Sequence, residues 1–324
     1  MGLDAVKSGL DTLSSRFLVV NFLPTAITVL FPLALILAGA PGHEPDWSHA
    51  WHRLTAVGVA VVLWTVFGLL VLALLLRPLQ TAVLRWFEGY WPTWLARGAA
   101  VLCARKARRR DRLAADATSL PADPLAPDAG PAVQKAGRAG AALRRDYPPG
   151  ALLPTDLGNV LAAAENRAGA PYGFDAVVAW PRLYPVLPDR IRAMVDDQRN
   201  SLDAAVMMTA ALAVVALAAV GLLADGGWWV LLALVPAAGA VAAHRGALHA
   251  AVGYGEVVDV AFELHRFDLY QALHLPLPAD LDAERRLARG LCLLWRQGVV
   301  PASPLGYVHA AAVPGATTGR QGVV

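Results

Sequence analysis

Apolar residues gather along this chain into four runs of near-bilayer length: Phe17 to Gly39, Leu54 to Leu76, Ala204 to Leu223 and the shorter Trp228 to Ala243. A helix rises 1.5 Å per residue, so about 20 residues cross the hydrocarbon core, and each run predicts a transmembrane helix. Ala38-Gly39-Ala40 resembles a signal-peptidase site. The apolar stretch before it is about twice the usual h-region, however, and Pro24 and Pro32 interrupt it, so an uncleaved span is expected. Proline inside a span is tolerable where neighbouring helices and Thr side chains satisfy the freed carbonyls. The span interiors carry no ionisable residue; their nearest polar groups are Asn21, Thr25, Thr28, Thr65 and Thr209. Pumps and ion-coupled carriers need intramembrane charge, which argues against a secondary transporter.

The polar segments between the runs set the expected threading. PGHEPDWSHAWHR, after the first run, holds Arg53 as its one basic residue apart from histidine, and the turn Ala224 to Gly227 holds none. The remaining basic residues lie on the other side, led by ARKARRRDR at Ala104 to Arg112. The positive-inside rule then puts both termini and the long middle segment in the cytoplasm. The predicted fold is an all-α integral membrane protein, with four transmembrane helices in two hairpins and a helical cytoplasmic domain. Its divisions are a membrane hairpin (1–76), an interfacial helix with a polybasic segment (77–113), a flexible linker (114–150) and a cytoplasmic segment (151–203). A second hairpin (204–243), C-terminal cytoplasmic helices (244–300) and a loose tail (301–324) follow. This hairpin–cytoplasmic–hairpin layout is similar to that of bestrophin-type anion channels, in topology alone.

After the second span comes RWFEGYWPTW, Arg85 to Trp94. On a helical wheel Leu79, Val83, Trp86, Phe87, Tyr90 and Trp94 share one face, with Thr81, Arg85 and Glu88 opposite. Aromatic residues beside a span mark an interfacial helix, so Trp86, Phe87, Tyr90, Trp91 and Trp94 are expected at the membrane interface and Glu88 in water. Arg105, Lys106, Arg108, Arg109, Arg110 and Arg112 are expected to face anionic lipid headgroups. From 114 to 150 the composition shifts to Ala, Pro, Asp and Gly, which predicts a linker without packed structure. Order returns near Leu153, with Thr155 as a helix N-cap. Prolines 181, 185 and 188 predict an irregular crossing, and from Asp189 a charged helix runs unbroken into the third span.

Beyond the fourth span, Glu256, Asp259, Glu263, Arg266 and Tyr270 recur at spacings of three and four and form one stripe on an otherwise apolar helix. Buried charges must be paired or neutralised. The stripe is therefore either an ion-pair network, with Arg182 or Arg190 as partners, or the acidic lining of a water-filled vestibule or a divalent-cation site, though nothing in the spacing selects a metal. The preceding Val252 to Gly255 resembles a potassium-channel filter signature, but Ala251 replaces its threonine. The charges that follow exclude the second span a filter needs.

Composition agrees with the pattern: the 324 residues are 56% hydrophobic and 16% charged, with mean hydropathy +0.46, where soluble domains are nearer a quarter charged. Arginine far outnumbers lysine, which points to a GC-rich bacterial genome; with the four apolar runs, a bacterial inner-membrane location is expected. A net charge of +3 gives no reason to expect nucleic acid. Cys103 and Cys292 are isolated, and His43, His49 and His52 with Glu44 and Asp46 are a weak metal set. No nucleotide loop, hydrolase elbow or zinc-protease motif occurs, and no motif names a cofactor. The small-residue third span favours close helix packing, within one chain or in a homo-oligomer. Two functions fit: a non-enzymatic anchor for an unidentified cytoplasmic protein partner, or an oligomeric ion channel with an acidic cytoplasmic vestibule.

Overall fold

The computed structural model describes residues 15–119, 129–300 and 305–309, without the side chains of Ser15, His49 and Leu54. The described residues are helical and contain no strand. A helical turn at Ser15–Phe17 and a π-helical turn at Leu18–Phe22 lead into α1 (Leu23–Leu37). Then come α2 (Trp47–Thr55), α3 (Val59–Leu76), α4 (Leu79–Glu88), α5 (Ala96–Thr118), α6 (Gly130–Asp146) and α7 (Asp156–Arg167). The remainder is α8 (Ala176–Leu183), α9 (Asp189–Leu222), α10 (Leu234–Ala272) and α11 (Leu281–Gln297). Four helices are long and apolar enough to cross a membrane: Leu18–Leu37, Val59–Leu76, Asp189–Leu222 and Gly227–Ala272. They mark a multi-pass membrane protein. Of α3 only Leu69 and Ala73 are buried, an outward apolar surface that water would not tolerate.

The span boundaries move where the backbone breaks. The second apolar run was expected from Leu54, but Ala56 to Gly58 leave the helix and Leu54 belongs to α2. The fourth run opens as a 3-10 helix, Gly227–Ala233, before α10. Pro181 is accommodated inside the short α8, and a 3-10 turn at Tyr184–Val186 follows. The unbroken helix from Asp189 forms as expected.

The segment expected as a linker is largely helical. Residues 114–118 end α5 and 130–146 form α6; residues 120–128 lie outside the description. Lys135 Nζ, near the start of α6, bonds Asp116, near the end of α5, at 2.9 Å, and Arg145 further along α6 lines one cavity with Arg109 earlier in α5, so the two helices run antiparallel. Alanine and arginine are strong helix formers. The contact buries only small side chains, Ala136 and Ala139, which a search for large apolar residues overlooks. The tail from Pro301 falls mostly outside the described residues.

The chain forms two compact units, residues 1–166 with 193–258 and residues 167–192 with 259–324. In the first unit one core joins Leu35 of α1 to Ala219 of α9, Leu223 and Ala233. A second core joins Leu157, Val160 and Leu161 of α7 to Leu202 and Val206 of α9 and Ala247 and Ala251 of α10, with Val83, Leu84 and Phe87 of α4 packed on it. α7 reaches α4 at the closest range a backbone allows: a Cβ on Gly158 would sit 1.8 Å from the Glu88 carbonyl oxygen. Thr155 caps α7, its Oγ1 accepting from the Gly158 N–H at 3.1 Å. The second unit has an aromatic core, in which the Phe174 ring lies 5.9 Å from Phe262 and 5.7 Å from Tyr270, and Trp180 lies 6.1 Å from Phe262.

Candidate functional site

The stripe on α10 was the candidate of greatest consequence. In the second unit Asp259 Oδ2 receives a hydrogen bond from Arg167 Nε at 2.6 Å, and Arg266 Nε donates to Glu284 Oε1 at 2.8 Å. Glu284 is buried, and the Arg266 guanidinium lies over Tyr172 at 3.9 Å and Phe267 at 4.3 Å. Tyr270 is wholly buried. Glu263 is exposed, and so is Glu256, which belongs to the first unit. The expected partners Arg182 and Arg190 are not used. Arg182 lies over Trp295 at 4.6 Å and donates to the Val178 carbonyl at 2.8 Å; Arg190 is exposed. The stripe is thus uneven, with paired members beside solvated ones.

The aromatic segment of the first unit is shorter as a helix than its periodicity suggested. Gly89 takes the left-handed conformation with φ 97°, a geometry that favours glycine and stops α4 at Glu88. A 3-10 turn, Thr93–Leu95, follows. Trp86, Tyr90 and Trp94 are exposed, whereas Phe87 turns inward onto the core. Trp91 donates its indole N–H to the Trp86 carbonyl at 2.9 Å. Glu88 departs from expectation: it is half-buried rather than open to water. Burial pushes its carboxyl above the usual range, with Arg199 opposing, Glu165 adding, Arg85 opposing and Asp203 adding. Packing of α7 against the end of α4 closes the face a wheel for α4 alone leaves open.

Glu88 borders a charged cluster not evident from the sequence. Asp203, almost fully buried, lies 3.3 Å from Arg199 and 3.3 Å from Arg16. The Arg199 guanidinium is 5.7 Å from the Tyr254 ring. The one available signal was the i, i+4 spacing of Arg199 and Asp203 on an unbroken helix. Arg16, Arg85 and Arg199 stand among Glu88, Glu165 and Asp203, so the charges balance as an ion-pair network does.

Among the polybasic residues, Arg105, Arg108 and Arg112 are exposed at spacings of three and four. Lys106 pairs with Asp156, and Arg110 with Asp111 at 3.2 Å. Arg109 lines a cavity instead. Among the described residues, the chemistry-bearing groups singled out above do not converge on a catalytic geometry. The Cys103 thiol donates to the Leu152 carbonyl at 3.4 Å. Cys292 accepts from the Asp175 N–H at 3.3 Å, and burial pushes its thiol up, away from the thiolate that nucleophilic chemistry requires. Among the described residues no three His, Cys, Asp or Glu gather closely enough to hold a metal ion; the His49 side chain lies outside that description. Comparison with protein-family models, curated proteins and solved structures yields no match.

Proposed function

We propose that this chain is a non-enzymatic membrane anchor of a bacterial inner membrane, with both termini in the cytoplasm and a cytoplasmic helical part that docks a protein partner. The observation that carries the reading is the pairing on α10. Asp259 is held by Arg167 and Arg266 by Glu284, an arrangement suited to joining helices. A conducting vestibule calls for solvated carboxylates. The distribution of basic residues supports the threading, and the span interiors offer no charged pathway. Exposed apolar side chains at Val260 and Leu264 of α10 and at Val177 of α8 are available to a partner.

The alternative, an oligomeric channel, is favoured by one observation, the exposure of Glu256 and Glu263. Purified protein in liposomes separates the two. The anchor reading expects no ion flux, and expects Asp259→Asn to lower the melting temperature by weakening its bond to Arg167. Cation flux that falls on Glu263→Gln at low salt, where screening is least, would establish the channel instead. For the threading, an exported reporter fused at Gly150 should be inactive and one at Pro41 active.

A further inference from the structure

The first unit contains a cavity of about 300 Å3, at the small end of ligand-pocket sizes. Its walls come from four places. Arg245, Leu248, His249 and Val252 share one face of α10, Arg109 comes from α5, and Arg145, Asp146 and Tyr147 come from the end of α6. Asp156, at the start of α7, completes the rim. The apolar run of α10 ends at Ala243, so Arg245 and His249 lie about 3 and 9 Å beyond it along the helix. For a span lying along the bilayer normal, that distance reaches into the headgroup region.

The charges on the cavity wall are not balanced. Both carboxylates are already engaged: Asp156 by Lys106, and Asp146 by Arg145 through two hydrogen bonds of 2.7 and 3.0 Å. Arg109 and Arg245 make no ion pair among the described residues, and both are exposed. Tyr147 is buried, and burial raises its hydroxyl further, with Arg109 opposing. It therefore stays a neutral O–H donor through the physiological range. Two guanidinium groups without an ion-pair partner among the described residues, beside a buried tyrosine, supply the donors a tetrahedral oxyanion needs, since arginine binds phosphate through paired N–H groups.

We propose that this cavity binds a phosphate group, with Arg109 and Arg245 as its principal ligands and Tyr147 and His249 as flanking donors. An anionic lipid headgroup and a small soluble phosphate monoester share this chemistry. The site is independent of whether the protein docks a partner, and its test does not depend on that reading.

The test uses the full chain in phosphatidylcholine nanodiscs, with and without phosphatidylglycerol at about one part in five. Native mass spectrometry reads lipid retention, and calorimetry reads binding of inorganic phosphate and glycerol 3-phosphate. If the source is lipid, phosphatidylglycerol is retained in preference to phosphatidylcholine. Arg109→Gln and Arg245→Gln each reduce that preference about tenfold, the loss expected for one charged contact. Arg190→Gln, at an exposed arginine of the second unit, leaves it unchanged. If the source is soluble, glycerol 3-phosphate binds saturably, and the same two variants abolish binding. Arg245→Lys, which keeps the charge without the fork, retains part of the binding in either case and guards against a folding artefact. Lipid retention without preference and no phosphate binding, or a preference equal in all variants, overturns the proposal.

Discussion

Asn159 is almost fully buried in α7, and its amide is completely used. Oδ1 accepts from the Leu153 N–H at 2.9 Å, and Nδ2 donates to the carbonyls of Leu153 and Thr155 at 2.8 and 2.7 Å. The side chain thus ties the incoming strand of chain to the first turn of the helix. Asn159→Ala leaves the partly buried Leu153 N–H and carbonyl short of this partner, each worth roughly 1–3 kcal/mol, while the Thr155 carbonyl keeps its bond from the backbone N–H of residue 159 at 3.3 Å. Thermal unfolding of the purified protein should show a loss of about 2–4 kcal/mol. The sequence marks Thr155 as the cap, because capping is a local rule, but it gives no sign that Asn159 is buried. That depends on the neighbours that α7 acquires.

Glu88 makes the second argument at this scale. Its carboxyl is raised in the folded protein, so the folded state holds the proton more tightly than the unfolded chain does. Its contribution to stability is therefore present below the ordinary carboxylate range and lost as pH rises through the raised value. Glu88→Gln removes that pH-dependent loss. The variant should melt above the parent at pH 7, and the difference should close as pH falls below the ordinary carboxylate range. Equal melting curves at both pH values would show that the neighbouring arginines compensate fully.

Among the elements, the four apolar runs and the unbroken helix from Asp189 were legible because each depends on composition over a long window. The ends were less so. α4 stops at Gly89 although the aromatic periodicity continues to Trp94, since one left-handed residue overrides the wheel. The antiparallel α5–α6 pair was missed because its contact is made of alanine and glycine. On α10 the stripe itself could be read from spacing, but Arg167 lies 92 residues from Asp259, and no local rule joins them. Gly158 shows how tightly one such junction is set. Gly158→Ala places a methyl group on the Glu88 carbonyl, so α7 must withdraw from α4, costing about 1–3 kcal/mol or more. Chemical denaturation should show a lower midpoint with an unchanged slope.

At the scale of the molecule, membrane character is legible in the sequence, because outward-facing apolar surface of this extent suits a lipid solvent. The α9 and α10 helices, 34 and 39 residues long, are about 51 and 58 Å at 1.5 Å per residue. Both exceed the roughly 30 Å hydrocarbon core, so each carries polar turns beyond its apolar stretch. Those turns hold charged groups: Arg199 and Asp203 on α9, whose spacing pairs them locally, and Arg245 and His249 on α10, whose neighbours no local pattern supplies.

The π-helical turn at Leu18–Phe22 has a consequence for how this chain tolerates changes of length. Such a turn holds one residue more than an α-helical turn, so it behaves as a spare register position. Removing Val19, which is exposed, should let the turn close as α-helix and leave Leu35 seated against Ala219 and Leu223. Removing Leu30, equally outward-facing, should swing Leu35 about 100° away from that core. Membrane-fraction yield and melting temperature would distinguish the two deletions. A chain of 323 residues should therefore fold or fail according to which side of Leu23 the missing residue lay.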